Sequence, residues 1–128
     1  MSKANVVNHT NYLLIEVQGV RDSFKQVIEG SSLIARLSEQ YNQTNILADY
    51  SKVIFNVKMA DAFNVVRLYE NQLHTFKKLK LAVITTESQS ELAGFYEMIA
   101  RKRGFTIKVF YEVGEAKHWL ESPDEKMV

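Results

Sequence analysis

At 128 residues the chain has the length of one domain, and 46% hydrophobic residues suffice for one core of ordinary size. Sixteen Lys and Arg against fifteen Asp and Glu leave a net charge of +1, which excludes the bulk electrostatic footprint of a nucleic-acid or anionic-membrane binder. Zero cysteines exclude a disulfide framework, a Cys-ligated zinc and a thiol nucleophile, and they fit a reducing cytoplasm.

The start, MSKANVVNHTN, has no apolar h-region and no small-residue cleavage site, and no run of about 18 apolar residues follows, so a soluble cytoplasmic protein without membrane insertion is expected. Tyr12 to Val17 (YLLIEV) is an apolar run ending at Gly19. Val6 and Val7, ahead of the turn-like NHTN, pair with it as a hairpin and give the sheet one antiparallel edge. Asp22 is the expected N-cap of a helix reaching about Gln40, with Phe24, Val27, Ile28, Ile34, Leu37 and Tyr41 at helical spacing. Gly30, Ser31 and Ser32 interrupt that pattern. Because the apolar period resumes in phase, a close approach of helix to sheet is expected there in preference to a kink.

Asn45 to Tyr50 (NILADY) reads as a short strand stopping at an acidic residue. Lys52 to Lys58 (KVIFNVK) is open between a strand and a buried connection, since Val53, Phe55 and Val57 alternate while Ile54 fills the other face. A helix is expected from Met59 to Lys77 on the spacing of Phe63, Val66, Tyr69, Leu73 and Phe76, with Lys77, Lys78 and Lys80 at its C-terminal end. Leu81 to Thr85 is the next strand. Ser88 and Glu91 form a capping-box signature for a helix whose stripe is Leu92, Phe95, Tyr96 and Ile99, closed by Arg101, Lys102, Arg103 and a left-handed Gly104. Thr106 to Tyr111 is the last strand, and a short helix from Gly114 to Leu120 buries Trp119 and Leu120. Pro123 ends the ordered chain, and residues 122–128 are expected to fray.

Strand, helix and strand in close succession make βαβ crossovers. The expectation is a single α/β domain over residues 1–128, with a central, mostly parallel sheet of about five strands and four helices.

No motif along the chain encodes a reaction. His9, His74 and His118 are far apart in sequence and none has a ligand partner at i, i+4, so no metal site is expected. There is no G-x-S-x-G elbow, and Ser31 and Ser32 fall within a helix. Neither phosphate-loop signature occurs, and no cofactor is expected. Arg101 to Gly104 and the Lys77, Lys78 and Lys80 group sit where helix dipoles attract cations, with no aromatic platform beside them, so nucleic acid is not an expected partner. Asp49, Thr85, Thr86 and Glu87 fall at the carboxyl ends of the expected parallel strands, where open α/β sheets place ligands. They echo a phosphoacceptor receiver. The acidic pair that such a domain needs is replaced by VQGV, however, and Lys108 lies inside its strand.

With these elements placed, the chain resembles the SpoIIAA-like family of the STAS superfamily, the anti-sigma-factor-antagonist fold, which has a structural kinship with CRAL-TRIO lipid-transfer domains. The residues carrying the resemblance are YLLIEVQG, LADYS, ADAFNVVRLYE, LAVIT and RGFTIKVFYEVGEAKHWL, spanning Tyr12 to Leu120. Signalling members carry an Asp-Ser pair at a helix N-terminus, and phosphate on that serine changes the charge of a docking face. The matching stretch here is MADAFN, with Asp61 for the acid and Ala62 at the serine position; Ser51 is the nearest hydroxyl.

The resemblance implies a non-enzymatic regulatory or protein-interaction module without the serine phosphoswitch, capable of self-association. The candidate partner- or ligand-binding residues are Asp49, Ser51, Asp61, Phe63, Thr85, Thr86 and Glu87. The alternative is a small-molecule or lipid-binding domain with an apolar pocket lined by Phe55, Phe63, Val66 and Phe95, although such aromatics are more often core.

Overall fold

The computed structural model describes residues 3–123. Its strands are β1 (Lys3–Asn8), β2 (Leu13–Arg21), β3 (Asn45–Phe55), β4 (Lys80–Ile84) and β5 (Thr106–Phe110), and its helices are α1 (Phe24–Tyr41), α2 (Met59–Asn71), α3 (Ser90–Lys102) and α4 (Val113–Glu121). The strands form one sheet in the order β1-β2-β3-β4-β5, with β1 antiparallel to β2 and every other pair parallel. This is the expected single α/β domain. Of the tail expected to fray, residues 124–128 lie outside the described residues.

Chain order equals sheet order, so each crossover steps one strand in the same direction. Right-handed crossovers of that kind place their helices on one face. Accordingly α1, α2 and α3 share the core that holds Leu13, Ile15, Ile46, Ala48, Leu81, Val83 and Ile107. The opposite face carries only α4, whose Ala116, Trp119 and Leu120 pack on Leu47, Ala82, Ile84 and Phe110. Period-two alternation along β4 makes this division, since Leu81 and Val83 face one way and Ala82 and Ile84 the other.

β3 is one strand of 11 residues and does not stop at its acid. It pairs with β4 only as far as Asp49 opposite Ile84, whereas its pairing with β2 continues to Phe55 opposite Arg21. The register shifts between Glu16 opposite Asp49 and Gln18 opposite Lys52, so β3 carries one extra residue there. Inward-facing residues are therefore Ile46, Ala48 and Tyr50 before the bulge and Val53 after it. That change of parity is why KVIFNVK matches no single pattern.

Other boundaries differ from the sequence reading for local reasons. Ser23, not Asp22, caps α1, accepting from the Gln26 N–H at 3.3 Å, while the Asp22 N–H donates to Gln26 Oε1 at 2.7 Å. α2 ends at Asn71, because the Gln72 and Leu73 N–H groups both donate to Leu68 O, and a separate 3-10 turn follows at His74–Lys78. That break lets Phe76 stack on Tyr69 with centroids 3.8 Å apart. Ser88 does not form a capping box with Glu91: it lies in a 3-10 turn at Glu87–Gln89, and its hydroxyl pairs with that of Thr86 at 2.9 Å. Lys80 is the first residue of β4, not a helix end, and is buried with Nζ donating to the carbonyls of Leu120 and Ser122 at the end of α4. Gly104 is left-handed as expected, at φ 89°.

Candidate functional site

Between the three-helix face of the sheet and the helices lies a cavity of about 90 Å³. It sits at the carboxyl ends of β2, β3 and β4, marked by Arg21, Phe55 and Thr85, which is the ligand edge of open α/β sheets. α1 contributes Ser31, α2 contributes Asp61, Ala62 and Tyr69, and α3 contributes Tyr96. The Phe55 N–H donates to Gln89 Oε1 at 3.3 Å, tying the end of β3 to the turn before α3.

Arg21 and Asp61 are the charged residues of this wall, and Arg21 is the more deeply buried. Residues 13, 15 and 17 of β2 face the core, and the same parity carries Arg21 inward, leaving it 5% exposed. Its guanidinium lies 4.8 Å from the Tyr50 ring centroid and 5.7 Å from that of Phe55, and makes no hydrogen bond or ion pair among the described residues. Ring faces offset part of the desolvation of a buried cation without neutralising it. Gly30 of α1 makes room for the group, since a Cβ at that position would overlap the guanidinium. The expected close approach at Gly30 is thus present, and the partner is an arginine side chain of β2.

Three kinds of hydroxyl complete the wall. Thr85 is 4% exposed and its Oγ1 has no partner among the described residues. Tyr69 and Tyr96 share a hydrogen bond of 2.9 Å, with the Ser31 hydroxyl beside Tyr69. Burial pushes the Tyr69 phenol up to about 12 and raises that of Tyr96 well above its ordinary value, so both stay protonated over the physiological range.

Of the candidate binding residues and pocket aromatics named from the sequence, the structure brings Asp61, Thr85 and Phe55 to this cavity and leaves the others elsewhere. Asp49 lies on the opposite face of the sheet from Thr85, because its neighbours Ala48 and Tyr50 both point into the three-helix core. Its Oδ1 accepts from the backbone N–H and hydroxyl of Ser51 at 3.0 and 2.7 Å. Thr86 and Glu87 are exposed in the following turn. Phe63 is half-buried beneath the Arg103 guanidinium, and Phe63, Val66 and Phe95 pack in the core without lining the cavity. The sequence reading missed Arg21, Ser31, Tyr69 and Tyr96; the inward parity of Arg21 was the one available signal.

The basic groups are largely engaged. Arg103 pairs with Glu70 at 2.7 Å, Arg101 donates to Ile107 O, and Lys77 donates to Arg103 O while lying over the Phe105 ring. Among the described residues there is no cluster of three metal-ligating side chains and no helix long and apolar enough to cross a membrane.

No protein-family model matches the chain, and no curated protein sequence matches it. Among solved structures it is similar to an anti-sigma factor antagonist from Mycobacterium paratuberculosis, with a TM-score of 0.62 and 13% identity over 95% of this chain and 96% of that one. The fold implied by the sequence resemblance is the fold observed.

Proposed function

We propose that this chain is a non-enzymatic regulatory module of the cytoplasm that docks a protein partner through the end of the β2–β3 ladder and the start of α2. The observation that carries the reading is an exposed apolar pair. Val20 and Ile54 are register partners, 39% and 53% exposed, and Met59, the first residue of α2, is exposed close behind them in sequence. Val20 and Ile54 are adjacent exposed apolar side chains, the kind of feature that marks an interaction site. Lys52 and Lys58 flank the group and favour a partner with an acidic rim. The likeness to an anti-sigma factor antagonist supports regulation over catalysis, as does the cavity wall, where no nucleophile stands beside a base.

Docking does not use a serine switch in this reading. Ala62 is buried at the position of the regulatory serine, and the hydroxyl of Ser51 is held by Asp49. Asp61 accepts from the Lys58 N–H at 3.1 Å and lies near the positive end of α2. Pull-downs from host cells with the wild type, Ile54→Asp and Asp61→Lys test the proposal. Both variants should stay folded, since Ile54 is exposed and Asp61→Lys costs about 1 kcal/mol in helix-dipole interaction and about 1 kcal/mol more for the lost bond to the Lys58 N–H, and both should recover less partner. Equal recovery by all three would move the docking face elsewhere, and stoichiometric phosphate on Ser51 would restore the switch. A second copy of the chain is also a candidate occupant of the face. Sedimentation of wild type against Ile54→Asp separates self-association from a foreign partner.

A further inference from the structure

We propose that the cavity at the carboxyl edge of the sheet is a binding site for a small monocarboxylate with a short apolar body, its carboxylate taken by the Arg21 guanidinium and the Thr85 hydroxyl. The inference is independent of the docking proposal.

Two polar groups of the cavity wall carry it, neither with a hydrogen-bond partner among the described residues. Arg21 is 5% exposed and its guanidinium has no hydrogen bond or ion pair among the described residues, so the ring faces of Tyr50 and Phe55 offset only part of its desolvation. Thr85 Oγ1 is buried with no partner among the described residues, and both residues line the same cavity. Unsatisfied buried polar groups are rare in folded proteins and call for an explanation. A carboxylate between them would accept from the planar guanidinium fork and from the hydroxyl at once. The fold also makes space for Arg21 by placing Gly30 against it, so the guanidinium occupies a prepared position.

The rest of the wall sets the ligand class. Val65, Leu81, Val83 and Val109 are apolar and call for an apolar body. Asp61 lines the same cavity and is half-exposed, and its negative charge opposes every anion, but a dianion such as phosphate about twice as strongly as a monocarboxylate. The volume, about 90 Å³, is below the roughly 150 Å³ of a cavity that takes benzene, so a short aliphatic chain fits and a bulky ring does not.

The test is calorimetric titration of the full chain with acetate, butyrate, hexanoate and octanoate, with butan-1-ol and inorganic phosphate as comparators. Binding should peak within the carboxylate series, and butan-1-ol and phosphate should each bind at least about tenfold more weakly than the best acid, as expected for hydrogen bonds to a charged group. Arg21→Met should abolish carboxylate binding while keeping the fold, because it removes an unpaired buried charge. Thr85→Val, which keeps the shape, should weaken binding several-fold. The proposal is overturned if no acid binds at millimolar concentration, if butan-1-ol binds as well as butyrate, if phosphate matches the best acid, or if Arg21→Met binds as the wild type does.

Discussion

Asp49 holds Ser51 through two hydrogen bonds, accepting at Oδ1 from the backbone N–H at 3.0 Å and from the hydroxyl at 2.7 Å, at the place where β3 carries its extra residue. The carboxylate thereby satisfies a backbone donor that the shifted register would otherwise strand. Asp49 and Ser51, both candidate binding residues in the sequence, are thus joined to each other at the bulge.

That pairing predicts unequal effects at one position. Ser51→Ala should lower stability by about 1.5 kcal/mol, the worth of a hydrogen bond to a charged acceptor. Ser51→Glu should cost more, since it sets a second carboxylate against Asp49. Urea midpoints of the two variants measure the difference, and a Ser51→Glu protein as stable as wild type would reopen Ser51 as a modification site.

Gly30→Ala should destabilise the protein, against the usual direction for a helix interior, where alanine gains about 1 kcal/mol. The new methyl would overlap the Arg21 guanidinium, and because burial against Tyr50 and Phe55 limits where that flexible side chain can move, an overpacking cost of roughly 1–3 kcal/mol is expected. With Arg21→Ala in the background, the clash is gone and Gly30→Ala should become neutral or stabilising. A double-mutant cycle by chemical denaturation reads the sign change.

Trp119 is buried against Phe110, with ring centroids 5.7 Å apart, and Lys80 Nζ lies 4.9 Å from its ring centroid. Trp119→Ala should cost about 3–5 kcal/mol, a large share of the roughly 5–15 kcal/mol a domain possesses, and yield largely unfolded or aggregating protein. Trp119→Phe should be far milder, because it keeps an aromatic ring and removes a buried indole N–H that has no acceptor among the described residues. Circular dichroism with urea titration separates the two outcomes.

Alkaline pH should unfold the protein through its buried phenols. Tyr69 titrates at about 12 in the folded chain against 10.0 for a free phenol, mainly because burial disfavours the phenolate, and Tyr96 is raised in the same direction. Between those values the unfolded chain has given up protons that the folded chain keeps. The contribution is therefore whole below pH 10 and lost as pH rises from 10 towards 12. Tyr69→Phe combined with Tyr96→Phe should flatten the fall in melting temperature over that window.

The sequence by itself determined the α/β class, the antiparallel hairpin at one edge, the run of crossovers and the burial of Trp119 and Leu120, because each follows from local periodicity. Tertiary structure decided the length of β3, where one residue added between Asp49 and Lys52 reverses which side chains face inward, so that alternation along KVIFNVK has no constant phase. It also decided that α2 stops at Asn71, freeing Phe76 to stack on Tyr69. The candidate site belongs to the same class of facts. Arg21, Ser31, Asp61, Thr85 and Tyr96 come from five separate elements or their ends, and nothing in their spacing along the chain encodes a meeting. Asp49 and Thr85 seemed equivalent at strand ends, yet strand parity sends them to opposite faces of the sheet. A cavity is a property of how elements pack across the core, and sequence periodicity reports only which way each residue points along its own element.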